Sequence, residues 1–288
     1  MRDFDFLVPG TVPEACRMLA DLGDDCRIMA GGTALMLVMR QRMLAASKII
    51  SAASLQDLYG IEFHPSHGLR IGAMTRHADI ARSPTVQRHY PMLADMARQV
   101  ANPQVRNQGT IGGNICYGDP STDPPGCLIA LNAEVVLQGL QGRRALSMQD
   151  FLVDFFVTAL EPDEIVIEIR IPPPHGNDEG RYTRFRRTAA EHRPLISVSL
   201  MAQREGSVCH DARLVVGASV PVPRRLARVE DFMRGRVVTP EVAHEAADMV
   251  ATDIPAISDA RGSEAYRRAM ARVVTRRTIS SLFDLEIL

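Results

Sequence analysis

The sequence predicts an α+β fold, on three observations. The first fifty residues alternate short apolar runs with stretches of helical period. The middle of the chain holds runs of strand length at Lys48-Ile-Ile50, Leu69-Arg-Ile-Gly72, Val135-Val-Leu137, Ile165-Val-Ile167 and Ile169-Arg-Ile171. Beyond about residue 177 the order changes to strands 195–202 and 211–218, then to helices near 225–234, 240–250 and 262–283. Pro172-Pro-Pro174 and the polar, Gly-containing stretch to Gly180 read as a linker at that change.

Taken in order, residues 5–8 form a short strand. Thr11 is a good N-cap, and Glu14 three residues on completes a capping-box pattern. Ala15, Met18, Leu19 and Leu22 supply the apolar stripe of that helix and Gly23 stops it. Cys26-Arg-Ile-Met-Ala30 reads as a buried strand running straight into Gly31-Gly32-Thr33 and an apolar helix from Ala34 to about Leu44. A strand, a Gly-Gly turn and a helix aim unpaired N–H groups at whatever lies over the glycines, and a phosphate is the natural guest. A plain turn with Thr33 as N-cap is the rival reading. No lysine follows the glycines and no GxGxxG is present, so this is neither a Walker loop nor a dinucleotide fingerprint.

Gly72–Asp79 opens a further helix with Thr75 as N-cap. His77 in it reads as a surface or capping histidine, because no second His or Cys lies at metal-ligand spacing. An amphipathic helix from Tyr90 to Val100 feeds a second Gly-rich stretch, Asn102–Asn114. Its apolar residues, Val105 and Ile111, are too sparse for a core strand or helix. Gly109, Gly112 and Gly113 make it either a hairpin turn or a loop whose backbone N–H groups face an anion.

Composition narrows the function. A net charge of -1 gives no reason to expect nucleic acid or an anionic membrane surface, and a chain without Trp offers no stacking platform. The five cysteines are scattered, odd in number and without a CxxC pair. That pattern suits a reducing cytosol and excludes a local iron–sulfur or zinc-ribbon motif. The N-terminus carries no signal-peptide pattern, and no apolar run approaches the ~18 residues of a membrane span, so a cytoplasmic location is expected.

The two Gly-rich stretches, Ala30-Gly-Gly-Thr33 and Gln104–Asn114, occur in order with Asp119-Pro-Ser-Thr-Asp123, Thr158–Ile165, Ile169–Pro172, Tyr182–Arg187 and Tyr266–Arg277. Over nearly the whole chain this set resembles the FAD-binding medium subunit of the molybdenum hydroxylase family, the xanthine dehydrogenase and carbon monoxide dehydrogenase-like enzymes. The resemblance implies a PCMH-type FAD-binding fold, with an N-terminal α/β subdomain over 1–55 and a middle mixed or antiparallel sheet subdomain over 56–175. A C-terminal domain of small antiparallel sheet and helical bundle would occupy 176–288. It implies FAD between the first two, its pyrophosphate on Met29, Ala30, Gly31, Gly32, Thr33, Ala34 and Leu35 from one loop and on Thr110, Gly112, Gly113 and Asn114 from the other.

Carried over further, Tyr117 is a flavin-contacting side chain and Asp123 lies near the ribose-diphosphate end, with a helix N-cap as its rival role. Ile165 or Val166 packs on the isoalloxazine, which core packing does not exclude. Arg186 is a basic residue near the flavin, where positive charge stabilises the anionic reduced ring; a solvated surface arginine is the alternative. Where many relatives carry a Tyr near the flavin, this chain has Glu191-His-Arg-Pro194, which leaves the electron acceptor open. The arginines of the last helix, Arg267, Arg268, Arg272, Arg276 and Arg277, read as a solvated face, with a docking surface for a sister subunit as the alternative.

The function implied is an FAD-binding electron-transfer subunit. A [2Fe-2S] small subunit would relay electrons from a molybdopterin large subunit to this FAD, and FAD to NAD or another acceptor, in an αβγ complex that can dimerise. A free-standing FAD-dependent oxidase or reductase is the alternative. It would need a base or a covalent flavin anchor such as a His in the first Gly loop, and Thr33-Ala34 supplies neither. A scaffold that has lost its flavin is a third class, opposed by the intact glycines.

Overall fold

The computed structural model describes residues 3–286. Among the described residues three larger sheets follow one another along the chain, with a two-stranded hairpin, Leu152–Asp154 paired to Val157–Thr158, between the second and third. The first is parallel and three-stranded, in the order Asp5–Leu7, Lys48–Ser51, Cys26–Met29. Helix Val12–Leu22 crosses between its edge strands, capped by Thr11, whose hydroxyl accepts from Glu14 N at 3.3 Å, and ended by Gly23 at φ +53°. Glu14 completes the cap one residue early, accepting from Gly10 N at 2.7 Å.

The second sheet is antiparallel and five-stranded: Ile61–His64, Gly68–Gly72, Ile165–Ile171, Glu134–Gly139, Gly142–Ser147. Ile165–Ile171 is the central strand, and a bulge between Val166 and Glu168 joins the two apolar runs that the sequence shows there. One face of this sheet, with Leu69, Ile71, Val135, Leu137, Val166 and Ile169, packs on helices of residues 77–130. Val136, Ile165 and Ile167 point the other way and join Val12, Ala15 and Leu19 of the first helix. The middle sheet is therefore shared between two cores, which ties the N-terminal part to it.

The third sheet runs Asp178–Phe185, Ile196–Glu205, Val208–Gly217, Arg224–Arg225, with Arg236–Val237 also paired to the third of these. Its central strand is buried continuously from Ile196 to Ala202 because both faces are covered. Ile196, Val198, Leu200 and Ala202 face helix Glu264–Leu282, on which helix Pro240–Asp253 packs in turn. Met201, with Tyr182 and Val215, packs into the middle core, where helix Pro124–Ala130 lies close enough to bring Gly126 near Ser199.

Several expectations are corrected. The helix after the first Gly turn is only Leu35–Arg40, because Arg42 takes φ +60° and ends it. Asn102–Asn114 is mostly helical: Asn102 accepts from Val105 N at 2.9 Å and caps Pro103–Gln108, and Thr110 accepts from Gly113 N at 3.1 Å and caps Ile111–Tyr117. Side-chain capping and Pro103 at the first position substitute for the missing apolar stripe. Thr75 is no cap: its hydroxyl donates to Gly60 O at 3.1 Å, and the helix begins later, at His77–Arg82. Arg267, read as solvated, is fully buried.

Candidate functional site

The site forms where the first sheet meets the middle one. The strand Cys26–Met29 ends at its C-terminal edge in Ala30–Ala34, and the helical pair 103–117 faces that turn. The two stretches touch through backbone: a Cβ on Gly31 would lie 2.1 Å from Gln108 O and 2.9 Å from Gly109 Cα. Gly112 is pressed in the same way against Ala73, with 2.6 Å between a built Cβ and the Ala73 Cβ. Glycine at 31 and 112 is thus required by protein-to-protein packing, not by a ligand. A cavity of about 510 Å³ opens along this seam.

Of the residues singled out in the sequence, Ala30, Gly31, Gly32, Thr33, Ala34, Leu35, Thr110, Gly112, Gly113, Asn114, Tyr117, Ile165 and Val166 all line this one cavity. Met29 does not; it lies under Gly32, its Sδ 3.2 Å from where a Cβ would stand. Ile165 and Val166 line it while each also belongs to a hydrophobic core. Arg186 is elsewhere, folding onto its own loop by donating to Ala189 O at 3.0 Å and Glu191 O at 3.2 Å. Glu191 is engaged by Arg187 at 2.6 Å, and Arg193 by Asp119 at 2.9 Å.

The two loops differ in what they can offer a ligand. In the second, the N–H groups of Ile111, Gly112, Gly113 and Asn114 are spent on Thr75 O, Ala73 O, Thr110 Oγ1 and Thr110 O. In the first, the N–H groups of Gly31, Gly32, Thr33, Ala34 and Leu35 have no acceptor among the described residues. The expectation of two backbone donor sets is therefore half met: the first turn carries the donors and the second braces it. The six-residue helix behind the turn is too short for a large dipole, so the local N–H groups are the main attraction for an anion.

The rest of the wall is apolar. Tyr117 and Phe156 meet edge to face, with centroids 5.2 Å apart at 74°, and Leu160, Ile165, Val166 and Met74 continue the surface. Phe156 holds φ +58° at the tip of a short hairpin and donates its N–H to Gly118 O at 3.1 Å. A row of free N–H donors beside an apolar, aromatic-cornered cleft fits an elongated ligand with an anionic middle and a flat, poorly hydrated end.

Asp123 is corrected. It is 2% exposed and outside the cavity lining. One carboxylate oxygen accepts a short hydrogen bond from Tyr182 Oη and the other lies 3.4 Å from Arg184 Nη1, so the group ties the middle helices to the third sheet. Nor does its side chain cap helix Pro124–Ala130. Burial lifts its pKa from 3.8 to about 6, against the pull of Arg184 and Tyr182. The folded state then holds a proton that the unfolded chain has released, so stability falls as pH rises from about 4 to about 6 and is level above. The shift corresponds to ~3 kcal/mol at most. Asp123→Asn is expected to raise the melting temperature relative to wild type at pH 8, and to raise it only about a third as much at pH 4.5, read by thermal denaturation at both values.

Sequence reasoning missed His77. It is 1% exposed, lines the cavity, and its Nδ1 is buried without a partner. Its only sequence signal is its place just beyond the C-terminal end of strand Gly68–Gly72, where a strand hands over to a helix. Phe156 was also missed, although two consecutive aromatics in a short polar-flanked stretch were visible. Among the described residues no group of three or more His, Cys, Asp or Glu could hold a metal ion, and no described helix is long and apolar enough to cross a membrane.

Two family models match the chain: the FAD binding domain in molybdopterin dehydrogenase over residues 2–174, and the CO dehydrogenase flavoprotein C-terminal domain over 181–282. The chain belongs to the FAD-binding medium subunits of the molybdenum hydroxylases. It is 35% identical over 272 residues to the nicotine 6-hydroxylase medium subunit of Paenarthrobacter nicotinovorans, covering 94% of each chain. It is 32% identical over 278 residues to the carbon monoxide dehydrogenase medium chain of Hydrogenophaga pseudoflava, covering 96% of each. The solved carbon monoxide dehydrogenase from Hydrogenophaga pseudoflava, in a form lacking the Mo-pyranopterin moiety of its molybdenum cofactor, superposes with a TM-score of 0.94 at 32% identity over 98% of both chains. This medium subunit is thus an oxidoreductase flavoprotein whose cofactor is FAD, and the donor-and-apolar cleft suits that cofactor.

Proposed function

We propose that this medium subunit holds FAD in the 510 Å³ cleft and passes electrons through it. The observation that carries the reading is the run of free N–H groups from Gly31 to Leu35, set beside an apolar wall. Those donors take the pyrophosphate, with Ala30 and Thr110, Gly112, Gly113 and Asn114 closing around it. Ile165, Val166 and Tyr117 flank the isoalloxazine, which supplies the two-electron and one-electron chemistry when bound. The chain's own part is to bind, orient and keep water from the ring. Asp123 and Arg186 act at a distance, through the packing of the third sheet and its loop.

Electrons enter from a [2Fe-2S] small subunit fed by a molybdopterin large subunit and leave to NAD or another acceptor, in a cytoplasmic αβγ complex. Support for a partner at the cleft comes from the Leu152–Thr158 hairpin. Val153, Phe155, Phe156 and Val157 are all exposed there, and Phe156 is continuous with the cleft wall. A contiguous exposed apolar patch marks an interaction surface more often than an idle one. The chain divides as 1–55, 56–175 and 176–288, with FAD between the first two parts.

The test is an absorption spectrum of the purified full chain, alone with added FAD and then co-expressed with candidate partner subunits. Flavin bands that are lost as free FAD on denaturation, together with co-purifying iron–sulfur and molybdenum subunits, are expected. A chain that takes up no FAD in either form sinks the reading. A yellow chain that oxidises a small substrate unaided would favour a free-standing oxidase.

A further inference from the structure

A second cavity, of about 170 Å³, shares no lining residue with the flavin cleft. It lies where three segments meet: residues 89–92, the linker at residues 171–175, and Asp178, Gly180, Met201 and Arg213 of the third sheet. The linker wall is rigid. Pro172, Pro173 and Pro174 each fix φ at about −65°, and Tyr90 Oη donates to Pro172 O at 2.8 Å. The linker backbone is also seated on Gly68, where a Cβ would stand 2.0 Å from Ile171 O. Such a wall cannot fold inward to fill the space, so the cavity is preformed.

Arg213 is the group in it that packing leaves unexplained. Its side chain is 13% exposed, and among the described residues its only polar contact is Asp178 Oδ2 at 3.5 Å. A charge-assisted hydrogen bond is about 2.7–2.9 Å long, so the guanidinium N–H groups stand without a close acceptor. None of the Arg213 nitrogens is enclosed, whereas Asp178 Oδ1 is enclosed and cannot meet a ligand. Asp178 Oδ2 is occupied as well, accepting from His175 N at 3.3 Å. The pair therefore offers the cavity donors and no free acceptor. Asp178 balances the charge of Arg213, so a ligand anion gains little from one and is repelled by the other. A neutral hydrogen-bond acceptor suits both. The floor, with Met92, Leu131, Ile171 and Met201, is apolar, and methionine sulfur packs well against ring edges. An engineered apolar cavity of about 150 Å³ takes benzene, so this one has room for a single ring with a small substituent.

We propose that this cavity is a second small-molecule site, independent of FAD, for a neutral single-ring aromatic compound whose carbonyl oxygen accepts from Arg213. Middle helices, linker and third sheet all contribute to it, so a ligand there ties the middle and C-terminal parts together and stabilises the chain by mass action.

Benzamide is the probe, added to the full-length chain saturated with FAD so that the flavin cleft is closed to it. Binding is followed through the methyl NMR signals of Met92 and Met201 and through the melting temperature. Benzamide should bind wild type in the roughly millimolar range, move those two methyl signals and raise the melting temperature. Benzene lacks the acceptor and benzoate adds a charge, and each should bind about fivefold more weakly or worse. Arg213→Met keeps most of the volume and removes the donors. It should weaken benzamide about tenfold and leave benzene unchanged. Unmoved methyl signals, with water alone in the cavity, overturn the proposal. So does benzene or benzoate binding as tightly as benzamide, or Arg213→Met binding benzamide as wild type does. Should Arg213→Met fail to fold, the order of the three probes on wild type decides alone. A chain that takes up no FAD fails the functional reading but not this one, because the two methyl signals report on the second cavity itself.

Discussion

Gly31→Ala is expected to abolish FAD retention and to lower the melting temperature by roughly 5 °C or more. The added methyl would stand 2.1 Å from Gln108 O and 2.9 Å from both Gln108 C and Gly109 Cα. All three are backbone atoms, so the clash cannot be relieved by a rotamer change. The turn and the helical pair must separate, and the separation moves Gly109, whose carbonyl accepts from His77 N at 3.1 Å. Overpacking of this kind costs about 1–3 kcal/mol, occasionally more. The loss in affinity should be larger than the loss in stability suggests, because five N–H groups are displaced together. Gly32→Ala is the control. Gly32 has the left-handed φ of +70°, which alone costs about 1 kcal/mol, but its new methyl meets only Met29 and Met36 side chains at 3.2 and 3.5 Å. These can yield. Thermal melts and FAD titration of the two variants check the ranking, and a Gly31→Ala chain as stable and as FAD-competent as Gly32→Ala would refute the account of the seam.

Arg267→Met is expected to destabilise the chain by about 1–3 kcal/mol, with little direct effect on the cleft. Arg267 is 0% exposed. Its guanidinium donates to Ala218 O at 2.8 Å, Leu195 O at 3.3 Å, and Asp259 Oδ1 at 2.7 Å. One side chain thus closes the ends of the two long strands of the third sheet and the loop before the last helix. Methionine fills most of the volume but takes the donor from the buried Ala218 carbonyl, while Leu195 O keeps Ser219 Oγ at 2.7 Å and the partly exposed Asp259 keeps the N–H groups of Arg261 and Gly262, so the penalty is one of desolvation at a single carbonyl rather than of cavity. At about 2–4 °C per kcal/mol for a chain of this size, the melting temperature should drop by about 2–10 °C. Arg277→Met, on the exposed side of the same helix, should stay within ~0.5 kcal/mol. Equal melting temperatures for the two variants would show that Arg267 does not hold the sheet ends. FAD affinity at low temperature separates a structural loss from a loss at the site: it should remain near wild type in both.

These two residues also show how far the sequence reaches. By itself it determined the run of elements, because periodicity is a local property: the strands at 48–51, 68–72 and 165–171 and the helices at 12–22, 240–253 and 264–282 stand where apolar spacing and caps put them. It also determined that Ala30–Leu35 belongs together with Thr110, Gly112, Gly113, Asn114, Tyr117, Ile165 and Val166, since their order along the chain carried the family resemblance and all of them reach one cavity. Only the tertiary structure decided what each group does there. Glycine at 31 and 112 looked like an opening for a ligand and is instead the contact between protein segments. The helices at 103–117 were invisible because side-chain caps, not an apolar stripe, start them. Five arginines on one helix are alike as letters, and Arg267 alone lies under the sheet ends. His77, read as a surface or capping residue, lines the cleft, and Asp123, read as a cofactor contact, lies buried against Tyr182 and Arg184, for the same reason. Whether a polar side chain faces solvent, a ligand or another segment depends on residues far away in the chain, and that pairing exists only once the sheets have packed.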